Sequence, residues 1–206
     1  MADRFLTFEH IRKSYGRHRV LDIGNLAFGK GDRVLINGAN GSGKSTLLKL
    51  IAGISPVNRG RVRRASEIKK KRIAYMPQSE GMYGDLTIRE NFAVYGTLYG
   101  MGDLVRQPLF KHFGLGGDLG KRFSDLSGGF QRMAVFAALV CIRPHILVLD
   151  EPFNGVDAEK RQIMVETLLH RQPDLNLLVA ASPKREAPEL FNHHLIIEEG
   201  KIHGDV

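Results

Sequence analysis

The residues best suited to chemistry in this sequence lie in a glycine-rich segment at positions 38–46. The segment reads Gly38-Ala39-Asn40-Gly41-Ser42-Gly43-Lys44-Ser45-Thr46. Its first eight residues match G-x-x-x-x-G-K-[ST], a pattern whose glycines let successive backbone N–H groups point at phosphate oxygens. Lys44 is predicted to reach the β- and γ-phosphates of a nucleotide, and the Ser45 hydroxyl to bind Mg²⁺. The alternative is a tight glycine turn that caps a helix, but the apolar run before the segment and the helical pattern after it favour a phosphate site.

Two adjacent acids stand at the end of a second apolar run. Asp150 and Glu151 follow Ile146-Leu147-Val148-Leu149, a continuous apolar segment typical of a strand buried on both faces. Ligands of α/β sheets bind at the carboxyl ends of such strands. Asp150 is therefore predicted to hold Mg²⁺, and Glu151 to polarise an attacking water. Without a nucleotide site nearby, the same residues would be an ordinary Asp-Glu-Pro turn.

A third segment, Leu126-Ser127-Gly128-Gly129, opens a predicted helix 20 residues before the apolar run at 146–149. Ser127 can cap this helix, and the two glycines expose backbone N–H groups to an anion. The alternative is an ordinary helix N-cap with no ligand. Two phosphate-binding elements in one small chain suggest that two chains share a nucleotide.

The elements that must position these motifs alternate between strands and helices. We expect strands at 5–11, 33–36, within 60–76, 146–149 and 175–181. We expect helices at 44–52, 86–99, 127–140, 157–171 and 184–191, and a terminal hairpin across 199–200. This alternation predicts an α/β sheet. Residues 79–140 lack strong strand signals, so we expect a helical subdomain inserted between two strands of the sheet.

Composition narrows the class of protein. The chain has 206 residues, 43% of them hydrophobic, and a net charge of +8, which fits one folded domain. A single cysteine, Cys141, excludes an internal disulfide. With no apolar run of membrane-spanning length, we expect a soluble intracellular protein. Eight of the basic residues and one acid, Glu67, fall within residues 59–72; the rest of the chain is nearly neutral, which disfavours a nucleic-acid-coating surface.

The order and spacing of these segments resemble the nucleotide-binding subunit of ATP-binding cassette (ABC) transporters, and residues 84–92 look like the stretch found in the small exporter ATPases of that family. In that family residues 38–45 correspond to the Walker A motif, Gln78 to the Q-loop, 126–129 to the signature, 146–152 to Walker B and 154–157 to the D-loop. The resemblance implies a P-loop NTPase with a RecA-like, mostly parallel sheet, an antiparallel β-subdomain and a helical subdomain at about 79–140. Residues 1–206 would form a single ABC ATPase domain.

The resemblance also implies how the chain works. It would bind and hydrolyse ATP with Mg²⁺ and power a membrane transporter, with export as the expected direction. The chain would lie on the cytoplasmic face of the membrane and act through a separate transmembrane subunit. Two cassettes, identical or different, would form a head-to-tail dimer in which Ser127–Gly129 touch the ATP held by the opposite subunit. Gln78 would bind Mg²⁺ and take part in catalysis, Tyr15 would stack on adenine, and Asp157 would belong to the D-loop.

Three positions depart from the family pattern. Ser182 stands where the family places its switch histidine; a serine hydroxyl can still bond to phosphate but cannot become a cation, and we count Ser182 with Glu151 and Gln78 as a catalytic candidate of a slow ATPase. Phe130 replaces a glutamine and Met133 replaces an arginine; Phe130 either weakens contacts across the dimer or simply packs. These departures keep open an alternative function, an ATP-binding switch or regulatory subunit that hydrolyses poorly.

Two surfaces are candidate contacts. Residues 80–100 are predicted to dock the membrane subunit through Met82, Tyr83 and Tyr99, unless these side chains fill the subdomain core. The basic segment 59–72 is either a solvated hairpin or a contact for anionic lipid headgroups or an acidic partner. No nucleic-acid partner is expected, because ABC ATPases of DNA repair or translation carry insertions or second cassettes for which this chain has no room.

Overall fold

A computed structural model of the chain describes residues 4–66, 68, 72–79, 81–184 and 186–204. Over these residues the chain forms two sheets and four α-helices. The strands are β1 (Arg4–Tyr15), β2 (His18–Gly29), β3 (Asp32–Asn37), β4 (Arg59–Arg64), β5 (Ile73–Met76), β6 (Ile146–Asp150), β7 (Leu177–Ala181), β8 (His193–Glu198) and β9 (Lys201–His203). The helices are α1 (Lys44–Ala52), α2 (Ile88–Tyr99), α3 (Gly128–Cys141) and α4 (Ala158–His170).

The larger sheet has six strands in the order β5-β6-β7-β3-β8-β9. The first five are parallel, and β9 runs antiparallel to β8. Successive residues of β6 enter two different apolar cores: Leu147 and Leu149 face one, Ile146 and Val148 the other. The sheet is therefore covered on both faces, as the unbroken apolar sequence of β6 predicted.

The smaller sheet is antiparallel, in the order β2-β1-β4, and packs with α1 on one of the two cores. Strand β2 was missing from the sequence prediction. Its buried positions change phase at Gly24-Asn25: Leu21 and Ile23 are buried before that pair, and Leu26 and Phe28 after it. A dipeptide that reads as a turn thus lies inside a strand, and the interrupted alternation concealed it.

The helices next to the motifs begin and end close to the predicted positions. Gly53, in a left-handed conformation with φ 74°, ends α1, as predicted. Thr87 and Glu90 form a capping box at the start of α2, so this helix starts at Ile88 rather than at 86. Helix α3 starts directly after Ser127, although the Ser127 side chain makes no capping hydrogen bond. Cys141, the last residue of α3, is fully buried.

The predicted helix at 184–191 is wrong. In its described part the segment forms only a short 3₁₀ turn, Pro188–Leu190. Ala187 precedes this turn in a left-handed conformation, φ 47°, which ends any helix there, and the α-helical region is in addition disfavoured for a residue before proline. The predicted strand at 175–181 is shorter than expected and starts at Leu177.

Between the end of β5 and the start of β6, the described residues form α2, α3 and several 3₁₀ turns. An isolated β-bridge joins Thr87 to Arg122. Side chains from Met82 to Ile142 supply most of one apolar core. No helix in the described parts of the chain is long and apolar enough to span a bilayer.

Candidate functional site

The glycine-rich loop joins the carboxyl end of β3 to the first turn of α1. Lys44 is almost fully buried, and its Nζ donates to the carbonyl oxygens of Gly38 (2.8 Å) and Ala39 (3.0 Å). A Cβ added at Gly38 would lie 2.4 Å from the carbonyl oxygen of Ile197, so no larger residue fits there. Among the described residues, Ser42 Oγ is buried without a hydrogen-bond partner. A loop with a buried cation and an unsatisfied hydroxyl suits an anionic ligand.

A cavity of about 340 Å³ opens beside this loop. It gathers side chains from four separate stretches of the chain. The lining residues are Val20, Asn40, Gly41, Gly43, Lys44, Ser45, Thr46, Gln78 and Glu151. The structure thus brings Gln78 and Glu151, two of the predicted site residues, to the glycine-rich loop. Val20, on β2, was missed because that strand was not predicted.

The two acids after β6 lie in different environments. Asp150 is 2% exposed, and the Tyr75 hydroxyl donates to its Oδ2 over a long 3.4 Å contact. Burial raises the pKa of Tyr75, and the nearby Asp150 carboxylate raises it further. Glu151 has φ 48°, an uncommon value for a residue with a side chain, and its N–H donates to the Ala181 carbonyl (2.9 Å). This left-handed turn directly after the strand places the Glu151 side chain at the cavity.

An arginine that the sequence analysis missed lies behind these residues. Arg132, in the second turn of α3, is 8% exposed, and its guanidinium donates to the carbonyl oxygens of Pro77, Gln78, Asp150 and Glu151. Position 133, where the family pattern places an arginine, holds Met133 in the apolar core. Arg132 directly precedes that position, but its backbone carbonyl partners leave no pattern in the sequence.

The signature residues 127–129 lie at the start of α3. They do not line the cavity at Lys44 within the described part of the chain; Gly128 instead borders a separate cleft together with Gln78, Asn154 and Gly155. The structure therefore separates Ser127, Gly128 and Gly129 from the phosphate loop of their own chain.

Phe130 packs within its own chain, and its effect on contacts across a dimer stays a prediction. It contacts one apolar core, and the Lys160 ammonium lies 4.3 Å from the centroid of its ring. Lys160 also pairs with Asp157, which caps α4 by accepting from the Lys160 N–H (2.9 Å). The hydrogen bonds from Lys160 lower the pKa of the exposed Asp157. Phe130 thus joins the start of α3 to the start of α4 by a cation–π contact.

Several predicted site residues do not line the cavity over the ranges that the structure describes; besides the signature, these are Tyr15, Gly38, Ala39, Ser42, Asp150, Asp157 and Ser182. Tyr15, at the end of β1, is 50% exposed, with the Lys13 ammonium 5.0 Å from its ring centroid. Ser182, after β7, is buried; its Oγ donates to Glu186 Oε2 (3.2 Å) and accepts from the Lys184 N–H (3.2 Å). Their roles toward nucleotide stay predictions.

The described arginines of the basic segment lie in two places, on β4 of the small sheet and beside the large sheet. Arg63 pairs with Glu9 (2.9 Å) on the small sheet, whereas Arg72 pairs with Asp174 (3.3 Å) beside the large sheet. Arg64 lies against Gly53 at the end of α1. Glu67 and residues 69–71 lie outside the described residues. Lipid contact through residues 59–72 therefore stays a prediction.

The sheet order, the loop and the cavity together define a P-loop nucleotide-binding domain. A family model described as ABC transporter matches residues 21–154, which include the loop, Gln78, the signature and both acids but neither Tyr15, Asp157 nor Ser182. The chain belongs to the ABC transporter family, and its fold is that of an ABC ATPase.

Individual relatives agree with this assignment. The chain is 30% identical to the Nod factor export ATP-binding protein I of Paraburkholderia xenovorans (strain LB400), over 98% of this chain and 70% of that protein. It is 26% identical to the linearmycin resistance ATP-binding protein LnrL of Bacillus subtilis (strain 168), over 96% and 67%. Among solved structures, an ATP binding subunit of an ABC transporter superposes with a TM-score of 0.82 at 22% identity, over 97% of this chain and 90% of that one.

Proposed function

We propose that this chain is the ATP-hydrolysing subunit of an ABC transporter, and that the transporter is an exporter. The observation that carries the proposal is the cavity at which Lys44, Ser45, Gln78 and Glu151 meet. The direction of transport rests on two relatives, one named for Nod factor export and one for linearmycin resistance.

The residues of the cavity suit Mg²⁺-dependent phosphoryl chemistry. Ser45 and Gln78 line the cavity and offer a hydroxyl and an amide oxygen. Asp150 is buried and is not among the described residues that line the cavity, but it directly precedes Glu151 and offers a carboxylate. These are the ligand types that Mg²⁺ takes. When bound, Mg²⁺ would neutralise charge on the phosphates. Lys44 and the backbone N–H groups of 39–46 would hold the phosphates, and Glu151 would orient and polarise the attacking water.

We further propose that two cassettes close on ATP in a head-to-tail dimer. Ser127–Gly129 lie away from the cavity of their own chain, as they must if they serve the nucleotide of a partner. The partner is an identical or a different cassette. Asn154 and Gly155 of the D-loop border the same cleft as Gly128, and we propose that the D-loop, with Asp157, lies at the dimer interface. ATP binding would close the dimer, and hydrolysis would reopen it.

The membrane subunit is proposed to dock near Gln78, with the cassette peripheral on the cytoplasmic face. Of the three candidate side chains only Tyr83 is well exposed, at 61%; Tyr99 is half-buried, and Met82 is 8% exposed and fills the core. Met82 is therefore not available for docking, and we propose the exposed Leu98 (62% exposed) as a docking residue in its stead.

We propose that residues 1–206 form one domain, with the helical subdomain at about 79–140.

The decisive variant is Glu151→Gln, which keeps the shape of the side chain and removes its charge. We expect ATP turnover to fall by at least about 100-fold, because the water is no longer polarised. ATP binding should persist, and the variant should become dimeric in ATP by light scattering. Lys44→Ala, as the control, should lose ATP binding. Wild-type chain that binds no ATP, or unchanged turnover in Glu151→Gln, would overturn the proposal.

A second candidate function is an ATP-binding switch or regulatory subunit with little hydrolysis. The observation that favours it is Ser182, whose hydroxyl is buried and bonded within its own loop. Tight ATP binding with negligible turnover, even with the membrane subunit present, would select this function over a transport motor.

A further inference from the structure

Arg132 makes the densest set of polar contacts near the cavity. Its Nη1 donates to the carbonyl oxygens of Pro77 (2.6 Å) and Gln78 (3.1 Å). Its Nη2 donates to the carbonyl oxygens of Glu151 (2.7 Å) and Asp150. One planar guanidinium thus bridges two segments that are more than 50 residues apart in sequence.

The four carbonyls belong to the backbone that presents the reactive side chains. Gln78 and Glu151 both line the cavity with Lys44 and Ser45, while Arg132 lies behind them, outside the residues that line it in the described chain. Glu151 also holds an uncommon backbone conformation, φ 48°, and such a conformation persists only where its surroundings fix it. The hydrogen bond to the Glu151 carbonyl is one such restraint.

Arg132 also connects these segments to α3. This helix begins with Gly128 and Gly129, and a cleft of about 340 Å³ otherwise separates its first turns from Gln78 and from Asn154 and Gly155. The hydrogen bonds of Arg132 therefore span this cleft and restrain a movement of α3 relative to the cavity at Lys44.

We propose that Arg132 is a positioning residue for ATP hydrolysis, which fixes the backbone of Gln78 and Glu151 and ties the signature helix to the cavity of its own chain. The proposal rests on the proposed function, because it assigns a role within hydrolysis at this cavity. A lysine has a single donor centre and cannot span both pairs of carbonyls, so it would replace the bridge only in part.

The test compares Arg132→Met and Arg132→Lys with the control Arg33→Met. Arg33 Nη1 likewise donates to a carbonyl, that of Leu168 (3.0 Å), but Arg33 lies at the opposite end of β3 from the phosphate loop. For each variant we would measure the midpoint of thermal unfolding, the affinity for a fluorescent ATP analogue in EDTA and in Mg²⁺, and kcat and KM for ATP.

We expect the affinity in EDTA to stay within about twofold of wild type in Arg132→Met, since Arg132 does not touch the phosphate loop. The gain in affinity on adding Mg²⁺ should shrink, and kcat should fall at least about tenfold with little change in KM, as misplaced groups reduce turnover. Arg132→Lys should recover part of kcat. Arg33→Met should lower the unfolding midpoint and leave kcat unchanged.

Equal kcat in wild type and Arg132→Met would overturn the proposal. So would a loss of kcat in Arg33→Met that matches the loss in Arg132→Met, since that outcome indicates stability alone. If Arg132→Met fails to fold, Arg132→Lys serves as the test: a lower kcat with little change in KM supports the proposal, and an unchanged kcat overturns it. If the wild type binds but does not hydrolyse ATP, the proposed ATPase function fails, and the Mg²⁺-dependent gain in affinity alone decides the role of Arg132.

Discussion

At the scale of single residues, local chemistry explains which site residues were predicted from the sequence and which were missed. Lys44, Ser45 and Gly38 were predictable because phosphate binding depends on a short continuous segment. Arg132 was not, because its partners are carbonyl oxygens, which every residue carries, on segments brought close only by the fold. The sequence therefore identifies the ligand-facing residues better than those that hold them in place.

Ser182 provides the test at this scale. We expect Ser182→Ala to keep ATP turnover within about twofold of wild type, because the hydroxyl is engaged with Glu186 and Lys184. Ser182→His should raise turnover, since an imidazole is longer and can become a cation. Steady-state release of phosphate at saturating Mg²⁺ and ATP measures both.

A marked loss of turnover in Ser182→Ala would instead assign the hydroxyl a direct catalytic role. Equal rates in Ser182→His and wild type would show that the missing histidine does not limit hydrolysis.

At the scale of elements, the starts of the four α-helices were predicted to within two residues, and one helix was predicted where backbone conformation prevents it. The Thr87–Glu90 capping box follows directly from S/T-x-x-E spacing. The false helix at 184–191 had favourable side chains, but Pro188 and the left-handed Ala187 prevent it. Strand β2 was missed for a similar reason, the turn-like pair Gly24-Asn25.

The capping box supports a prediction about stability. Thr87→Ala removes the hydroxyl that accepts from the Glu90 N–H (3.2 Å), and we expect the free energy of unfolding to fall by about 1 kcal/mol. Urea denaturation followed by circular dichroism measures this loss. Thr87→Ser keeps the hydroxyl and serves as the matched control; an equal loss in both variants would contradict the explanation.

The same box has a definite pH dependence. The backbone hydrogen bond from Thr87, and then the one from its hydroxyl, lower the pKa of Glu90 below its ordinary value of 4.5. A carboxylate with a lowered pKa stabilises the fold above its unfolded pKa, and this contribution is lost as the pH falls through the folded value. The difference in free energy of unfolding between wild type and Thr87→Ala should therefore become smaller below about pH 4.5.

At the scale of the whole molecule, the α/β architecture was predictable because each buried strand carries its own apolar run. A sheet covered on both faces, with alternate residues of β6 in two apolar cores, follows from that pattern. The distribution of charge was less predictable. Two residues of the segment that is basic in sequence form ion pairs in different places, Arg63 with Glu9 and Arg72 with Asp174.

The proposed dimer gives the prediction at this scale. In a Glu151→Gln background, Ser127→Arg should abolish ATP-dependent dimerisation, because a bulky cation would occupy the surface that meets the partner's nucleotide. The affinity of each chain for ATP should change little, since Ser127 does not line the cavity of its own chain in the described residues. Light scattering and nucleotide binding give the two readouts. Dimers that persist in this double variant would place the interface elsewhere.

The burial of Cys141 has a practical consequence. It is the sole cysteine of the sequence, lies at the end of α3 with no exposed surface, and burial raises the pKa of its thiol to about 12. Because the thiolate is the reactive form, maleimide reagents should leave the native chain unlabelled. A fluorophore can therefore be attached to one chosen surface position through a single introduced cysteine, without first removing the natural one.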